Sequence, residues 1–262
     1  MRILLAGATG VIGRQAVPVL TGAGHQVIGL ANRPARLPGA DLVVADALDP
    51  AAVAGAVRSA APDVIVHMLT AIPDPIDPRH LARDMALTNR LRSEGTANLV
   101  AAAGGAARII AQGIAYAYEP TGSPVKDEDA PQGGFTRQLR AGKVPIVGDG
   151  GSMFSFLHAH DAATALLAAV DHPAASGALN IVDDQPTLAR DWLPEMAAWR
   201  GAPAPGHIPA RLARLFAGGW GVAFMTSLAG ASNLRARQQL DWTPTYGSWR
   251  DGLAAERSVA TR

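Results

Sequence analysis

The chain has 262 residues, 48% of them hydrophobic, which is ample for a core, and it has no cysteine, which excludes disulfides, thiolate metal sites and a thiol nucleophile. Its 23 basic and 22 acidic residues leave a net charge of +1, so nothing favours nucleic acid or an acidic membrane as partner. No apolar stretch approaches the roughly 20 residues that span a bilayer, and a strand begins within two residues of Met1, which leaves no secretory signal; a cytoplasmic protein is expected.

Ile3 to Ala6 reads as a short buried strand. Gly7-Ala8-Thr9-Gly10-Val11-Ile12-Gly13 follows, and Val11, Ile12, Val17 and Leu20 then recur at helical spacing. A strand, a Gly-rich turn and a helix in that order predict a dinucleotide site. Gly7 permits the tight turn, Gly10 lets backbone approach a pyrophosphate, and Gly13 lets helix and strand pack closely. The N–H groups and positive dipole end of the helix hold the phosphates, so all seven residues are cofactor candidates. The alternative is a Gly-rich turn that binds nothing.

His25 to Ala31 is the second predicted strand, and Asn32 and Arg33 stand where a carboxylate would accept the ribose hydroxyls of NAD. A cation there suits a 2′-phosphate, so NADP is preferred to NAD; the plain alternative for Arg33 is a solvated loop residue. Asp41 to Val44 is a third strand, followed by Asp46 and Ala47. Asp46 either hydrogen-bonds an adenine amino group or caps the helix that starts near Pro50. Asp63 to Leu69 is a fourth strand, apolar on both faces, with His67 read as a packed core histidine. Met68, Leu69 and Thr70 at its end join the cofactor candidates. Leu81 to Ala103 carries one long helical pattern that includes a further candidate, Asn89, and Arg108 to Gln112 is the fifth strand. This alternation predicts an α/β fold with a doubly wound parallel sheet.

Farther on, Val144 to Gly151 reads as a strand and turn, Ser155 to Leu157 as a strand, and Asp161 as the cap of a helix to Val170. His158 and His160 would share one strand face beside Asp161, but no further ligand cluster accompanies them and no metal is assigned. Ala178 to Asp183 reads as a strand, Leu188 to Arg200 as a helix and Gly201 to Gly206 as a linker. His207 to Phe216 is a basic amphipathic helix that ends before Gly218-Gly219-Trp220. Trp220, Phe224 and Met225 line a pocket or form a packing surface. Asn233 to Leu240 is a polar helix, and Trp249 and Arg250 open the last one.

Several of these segments together resemble the extended short-chain dehydrogenase/reductase superfamily in its NAD-dependent epimerase/dehydratase branch. They are the GATGVIG turn, Ala45-Asp46, Val66-His67, Thr88 to Ala103, Tyr118-Glu119-Pro120 with Lys126 to Asp129, Phe156 to Asp161, and Gly230 to Leu253. The resemblance implies an NAD(P)-binding Rossmann core over residues 1–132. Residues 133–262 would supply the last sheet strands and a smaller C-terminal substrate lobe. It also implies oxidoreductase or epimerase ancestry, with a small hydroxy or carbonyl compound as substrate.

One part of the family pattern is missing. The resemblance implies a Tyr that exchanges the substrate proton, a Lys four residues later that lowers its pKa, and a Ser at the end of strand five. The tyrosines are Tyr116, Tyr118 and Tyr246, followed four residues later by Pro120, Gly122 and Arg250, and neither lysine, Lys126 or Lys143, fits. Strand five runs into Gln112-Gly113-Ile114 where the Ser would stand. The chain passes from Pro131-Gln132 directly to Gly133-Gly134, and an internal deletion of on the order of 50 residues is expected there. Such a loss would leave a sheet gap or draw a later strand beside strand five. It would also expose apolar surface that a second copy could cover, as a homodimer. If catalysis survives, Tyr116, Tyr118 or His67 must supply the acid–base group. The competing expectations are a non-catalytic dinucleotide binder and a catalyst of non-redox chemistry.

Overall fold

The first strand, β1 (Arg2–Ala6), is apolar at every position after Arg2, and each of these positions is buried. A strand so placed needs cover on both faces, and the alternation of its side chains sorts them. Ile3 and Leu5 join Ala16, Val17 and Leu20 on one face, whereas Leu4 and Ala6 join Val53, Ala56, Val57, Leu99 and Ala103 on the other. The computed structural model describes residues 1–73, 81–114, 123, 125–128, 146–199 and 201–260. They form two compact units, one within Met1–Asp74, Arg83–Gly113 and Ala159–Ser176, the other within Pro75–Ala82, Ile114–His158 and Gly177–Arg262.

In the first unit, β1 leads to α1 (Val11–Gly22), β2 (Gln26–Ala31), β3 (Asp41–Val44), α2 (Pro50–Ala60) and β4 (Val64–His67). After these come α3 (Leu81–Asp84), α4 (Ala86–Arg90), α5 (Thr96–Ala103) and β5 (Arg108–Ala111). The five strands pair in parallel in the order β3-β2-β1-β4-β5. The doubly wound sheet is therefore present, with its order reversing between β1 and β4. Helix α6 (Ala159–Asp171) returns to this unit and buries Ala163, Leu166 and Val170 beside α1.

The expected continuous helix from Leu81 to Ala103 is not seen. Helix α3 stops at Asp84, and Leu91–Gly95 widens into a π-helical turn between α4 and α5. Hydroxyls explain the loosening: Ser93 Oγ donates to the carbonyl of Asn89 at 2.9 Å and Thr96 Oγ1 to that of Arg92 at 2.6 Å, competing with the helix's own N–H groups. At strand five, no later strand pairs beside β5 among the described residues. The expected deletion near residues 131–134 lies outside the described residues.

The second unit holds β6 (Val125–Lys126), β7 (Ile146–Val147), β8 (Met153–Phe154), β9 (Thr187–Leu188), β10 (His207–Ile208) and β11 (Gly230–Ala231), paired two by two. Its helices are α7 (Ala189–Trp199), α8 (Ala210–Thr226), α9 (Leu234–Leu240) and α10 (Trp249–Ala260). Several expectations need correction here. Strand β8 precedes Ser155 to Leu157, and Ala178 to Asp183 forms no ladder because its amides bond singly, Asn180 to Glu128 Oε1 and Asp183 to the Phe156 carbonyl. Helix α8 does not end before Gly218-Gly219-Trp220 but runs through it to Thr226. Asp161 lies inside the first turn of α6 and is fully buried, so it does not precede the helix as a cap.

Candidate cofactor site

The Gly-rich turn is built as the sequence requires. Gly7 has φ +99°, and a Cβ on it would stand 2.8 Å from the carbonyl oxygen of Met68, so the first turn lies directly against the end of β4. A Cβ on Gly13 would fall onto the carbonyl oxygen of Gly7 and 2.6 Å from that of Ala8. The amide of Gly10 donates to Gly7 O at 3.0 Å, and Arg14 Nε donates to Thr9 O at 2.9 Å, which fixes the loop. Gly10 is the extended cap of α1 and has no side chain to offer, and no acidic residue lies in the first turn. The first-turn amides of a helix have no acceptor within it, so this end is left open to an anion. Val11 beside it is 79% exposed.

At the end of β2, Asn32 and Arg33 are exposed. Their loop is anchored by buried Leu37, whose Cδ2 fills the space over Gly29 beside the Ala8 methyl. Arg36 stands exposed in the same loop; it went unassigned in the sequence, although its spacing of three from Arg33 was visible. Asp46 folds back on the chain, its Oδ1 accepting the Leu48 amide at 2.9 Å. The cap of α2 is instead Asp49, whose Oδ1 accepts from Ala51 and Ala52 at 2.9 and 3.2 Å, so the capping alternative for Asp46 is overturned. Ala47 is buried, and its carbonyl accepts from Asn98 Nδ2 at 2.9 Å.

The end of β4 is wired at alternate amides. The Leu69 amide donates to His67 Nδ1 at 3.3 Å, and the Ala71 amide donates to buried Thr88 Oγ1 at 2.9 Å. His67 Nε2 lies 2.8 Å from Thr96 Oγ1, whose own proton goes to Arg92 O. This directionality assigns the neutral imidazole with its proton on Nε2. Burial, aided by the nearby Arg92 charge, pushes the His67 pKa below its ordinary value. His67 is thus a buried core histidine with both ring nitrogens engaged by hydrogen bonds within the protein. Met68 and Leu69 are half-buried, and Thr70 and Asn89 are exposed.

Tyr116 and Tyr118 lie outside the described residues. Gln112, where a Ser would stand, is exposed and donates its amide to His67 O at 2.9 Å. His158 and His160 do not share a strand: His158 precedes α6 and His160 lies within it, and among the described residues no cluster of three ligating side chains exists. Met225 is buried in the second unit's core and Phe224 packs edge-on to Phe154 with ring centroids 5.3 Å apart, which favours the packing reading; the Trp220 side chain lies outside the described part. Among the described residues, no helix is long and apolar enough to cross a membrane.

Comparison with known proteins adds three findings. The model of the NAD dependent epimerase/dehydratase family matches residues 3–138. A Streptomyces protein named 3-diazoavenalumate denitrifying reductase is 41% identical over 312 residues, covering 98% of this chain and all of the relative. An alignment of 312 positions against a chain of 262 leaves at least 50 positions of the relative without a counterpart here. Among solved structures, UDP-glucose 4-epimerase from Thermotoga maritima with UDP-glucose has a TM-score of 0.72 at 17% identity, covering 99% of this chain and 100% of that one. Human epimerase family protein SDR39U1 with NADPH has a TM-score of 0.68 at 17% identity, with 97% and 98% covered. At these identities the likeness concerns the fold.

Proposed function

This chain belongs to the NAD dependent epimerase/dehydratase family, and on that premise we propose that it is an NADP(H)-binding reductase whose acceptor needs no proton from a Tyr-Lys pair. The cradle carries the cofactor half of this reading. A side chain on Gly7 or Gly13 would meet backbone, and the amide end of α1 is open, which fits a pyrophosphate. Val11, Ile12 and Gly13 would offer amides to the phosphates. Arg33, with Arg36 in the same exposed loop, would take the 2′-phosphate; Asp46 would face the adenine amino group. Met68, Leu69 and Thr70 would floor the crevice, and Asn89 would border it.

The missing acid–base set shapes the other half. A bound reduced nicotinamide supplies a hydride. Reduction of a carbonyl also needs a proton at oxygen, and the sequence holds no Tyr with a Lys four residues later to deliver it. A diazonium group makes no such demand: replacing it by hydride forms a C–H bond, releases N2 and oxidises the nicotinamide, with charge balanced and no proton consumed. The name of the Streptomyces relative joins a diazo compound, loss of nitrogen and reduction, which supports this acceptor class. The 50 or more positions of the relative without a counterpart here match in number the length of chain that the expected deletion would remove.

The test begins with fluorescence titration of NADPH and NADH. NADPH is expected to bind more tightly, and Arg33→Ala to weaken NADPH about tenfold, the worth of one charge-assisted contact, while leaving NADH unchanged. Turnover is then followed by NADPH absorbance with an arenediazonium carboxylate or a ketone. Consumption with N2 release from the diazonium alone is expected. Consumption with the ketone would overturn the acceptor assignment, and binding without any turnover would favour a dinucleotide sensor.

A further inference from the structure

The hydrogen-bond chain from Leu69 through His67 and Thr96 to Arg92 ties the floor of the cofactor crevice to the π-helical turn. The floor segment makes direct contact with the Gly-rich turn, because Met68 carbonyl is the group that leaves no room for a side chain on Gly7. Its path is set by two amides, Leu69 on His67 and Ala71 on Thr88. The first depends on a tautomer. Nδ1 accepts only while unprotonated, and Nε2–H is satisfied only while Thr96 Oγ1 is there to receive it. Thr96 Oγ1 is held ready because its own proton is committed to Arg92 O at 2.6 Å, a carbonyl of the π turn.

From this geometry we propose that His67 and Thr96 are positioning residues for the dinucleotide, and that protonation of His67 releases the Leu69 amide and weakens cofactor binding in acid. The proposal rests on the cofactor reading given above. Among the described residues, Ala6 of β1 and Ala111 of β5 flank His67 in register, both apolar, Thr96 comes from α5, and Arg92 from the π turn is the charged side chain that acts on it. Arg92 and burial both oppose a positive charge on the ring, so the neutral, Leu69-binding form is the one held at neutral pH. In acid the imidazolium has no acceptor at Nδ1. It turns a donor toward the Leu69 N–H, and the segment must shift.

The experiment is a titration with NADH from pH 8 to pH 5, because NADH lacks the 2′-phosphate that itself titrates near pH 6. Because burial and Arg92 hold the ring below its ordinary value of 6.5, affinity is expected to be flat above that pH and to fall only in more acid solution. Thr96→Val, which keeps the shape but strands the Nε2 proton, should weaken NADH about tenfold at pH 7.5, the worth of about one hydrogen bond. Thr96→Ser should restore the affinity. In His67→Asn the amide oxygen can replace Nδ1 as acceptor without titrating, so the affinity that remains at pH 7.5 should show no acid limb. Nitrogen NMR of the wild-type ring should show the proton on Nε2. An unchanged acid limb in His67→Asn, or full affinity in Thr96→Val, would overturn the proposal. Failure of the wild type to bind NADH or NADPH at pH 7.5 would instead remove the cofactor reading beneath it.

Discussion

The two units bring distant stretches of chain together by opposite means. In the first, backbone ladders do it: β1 pairs with β2 over five residues and with β4 over four, and β3 and β5 extend the sheet outward. In the second, ladders are two residues long and side chains take over. Ser152 Oγ donates to Phe224 O at 2.6 Å and accepts the Leu228 amide at 2.8 Å, and Ser155 Oγ accepts the Ala231 amide at 2.8 Å. Asn233 Nδ2 reaches Val182 O and Asp184 Oδ1, and Glu128 Oε1 accepts the Asn180 amide. Both satisfy buried backbone, as any fold must. The difference lies in what a substitution can reach: a ladder survives most side-chain changes, whereas a side-chain clasp is lost with one atom.

The comparison predicts where each unit is most fragile. In the first, it should be a position where a side chain is intolerable. Gly13→Ala puts a methyl group against the carbonyls of Gly7 and Ala8, both backbone and unable to step aside. We expect a cost of about 3 kcal/mol, seen as a fall in Tm of roughly 6–12 °C, with dinucleotide binding lost. Retained NADPH affinity in this variant would mean that the turn relaxes freely, and the cradle would no longer explain the site.

The same contrast accounts for what could be read from the sequence. The first unit announces itself because strands, turn glycines and helices repeat at fixed periods, and Ile3/Leu5 against Leu4/Ala6 sort onto two faces by alternation alone. His67 was legible as a core residue from the apolar run around it. Its partner was not, because Thr96 lies 29 residues away and acts through a π turn that helical periodicity conceals. The clasps of the second unit span 49 to 76 residues through Ser, Asn and Glu side chains that carry no periodic signal. Ala178 to Asp183 has the composition of a strand, yet its amides find a carboxylate and a single carbonyl, and composition alone does not distinguish the two outcomes. Of the two aspartates three residues apart, the sequence names Asp46 alone as a cap candidate, and the extended backbone of Asp49 directly before Pro50 makes that residue the cap instead.

In the second unit, deleting a clasp should cost less than the glycine replacement and should act on stability alone. Ser152→Ala leaves the buried Leu228 amide and the Phe224 carbonyl without that hydroxyl, a loss of about 1–3 kcal/mol. Thermal denaturation should register it, and NADPH affinity measured well below the transition should be unchanged. If Ser152→Ala were neutral, the short ladders and the aromatic cluster of Phe154, Phe156 and Trp192 would hold the unit without the clasps, and the contrast drawn above would fail.

The smallest expected effect tests the charge buried among these clasps. Burial pushes the Asp183 carboxyl up to about 6, against the pull of the Gln185, Phe156 and Trp249 amides and with a further push from Asp184. The unfolded chain holds this group near 3.8, so between that pH and 6 the folded state keeps a proton that the unfolded state has lost. Stability therefore rises as pH falls through 6 toward 3.8, and above 6 the ionised carboxylate is a standing cost, on the order of 2–3 kcal/mol, with the pull of the three amides already counted against it. Asp183→Asn removes the charge and keeps an oxygen for the Gln185 amide. It should equal or exceed wild type in denaturant unfolding at pH 8, and the advantage should disappear by pH 4.5. A variant less stable than wild type by the same margin at both pH values would mean that the three amides outweigh burial, and that Asp183 is held as a carboxylate by the clasps around it.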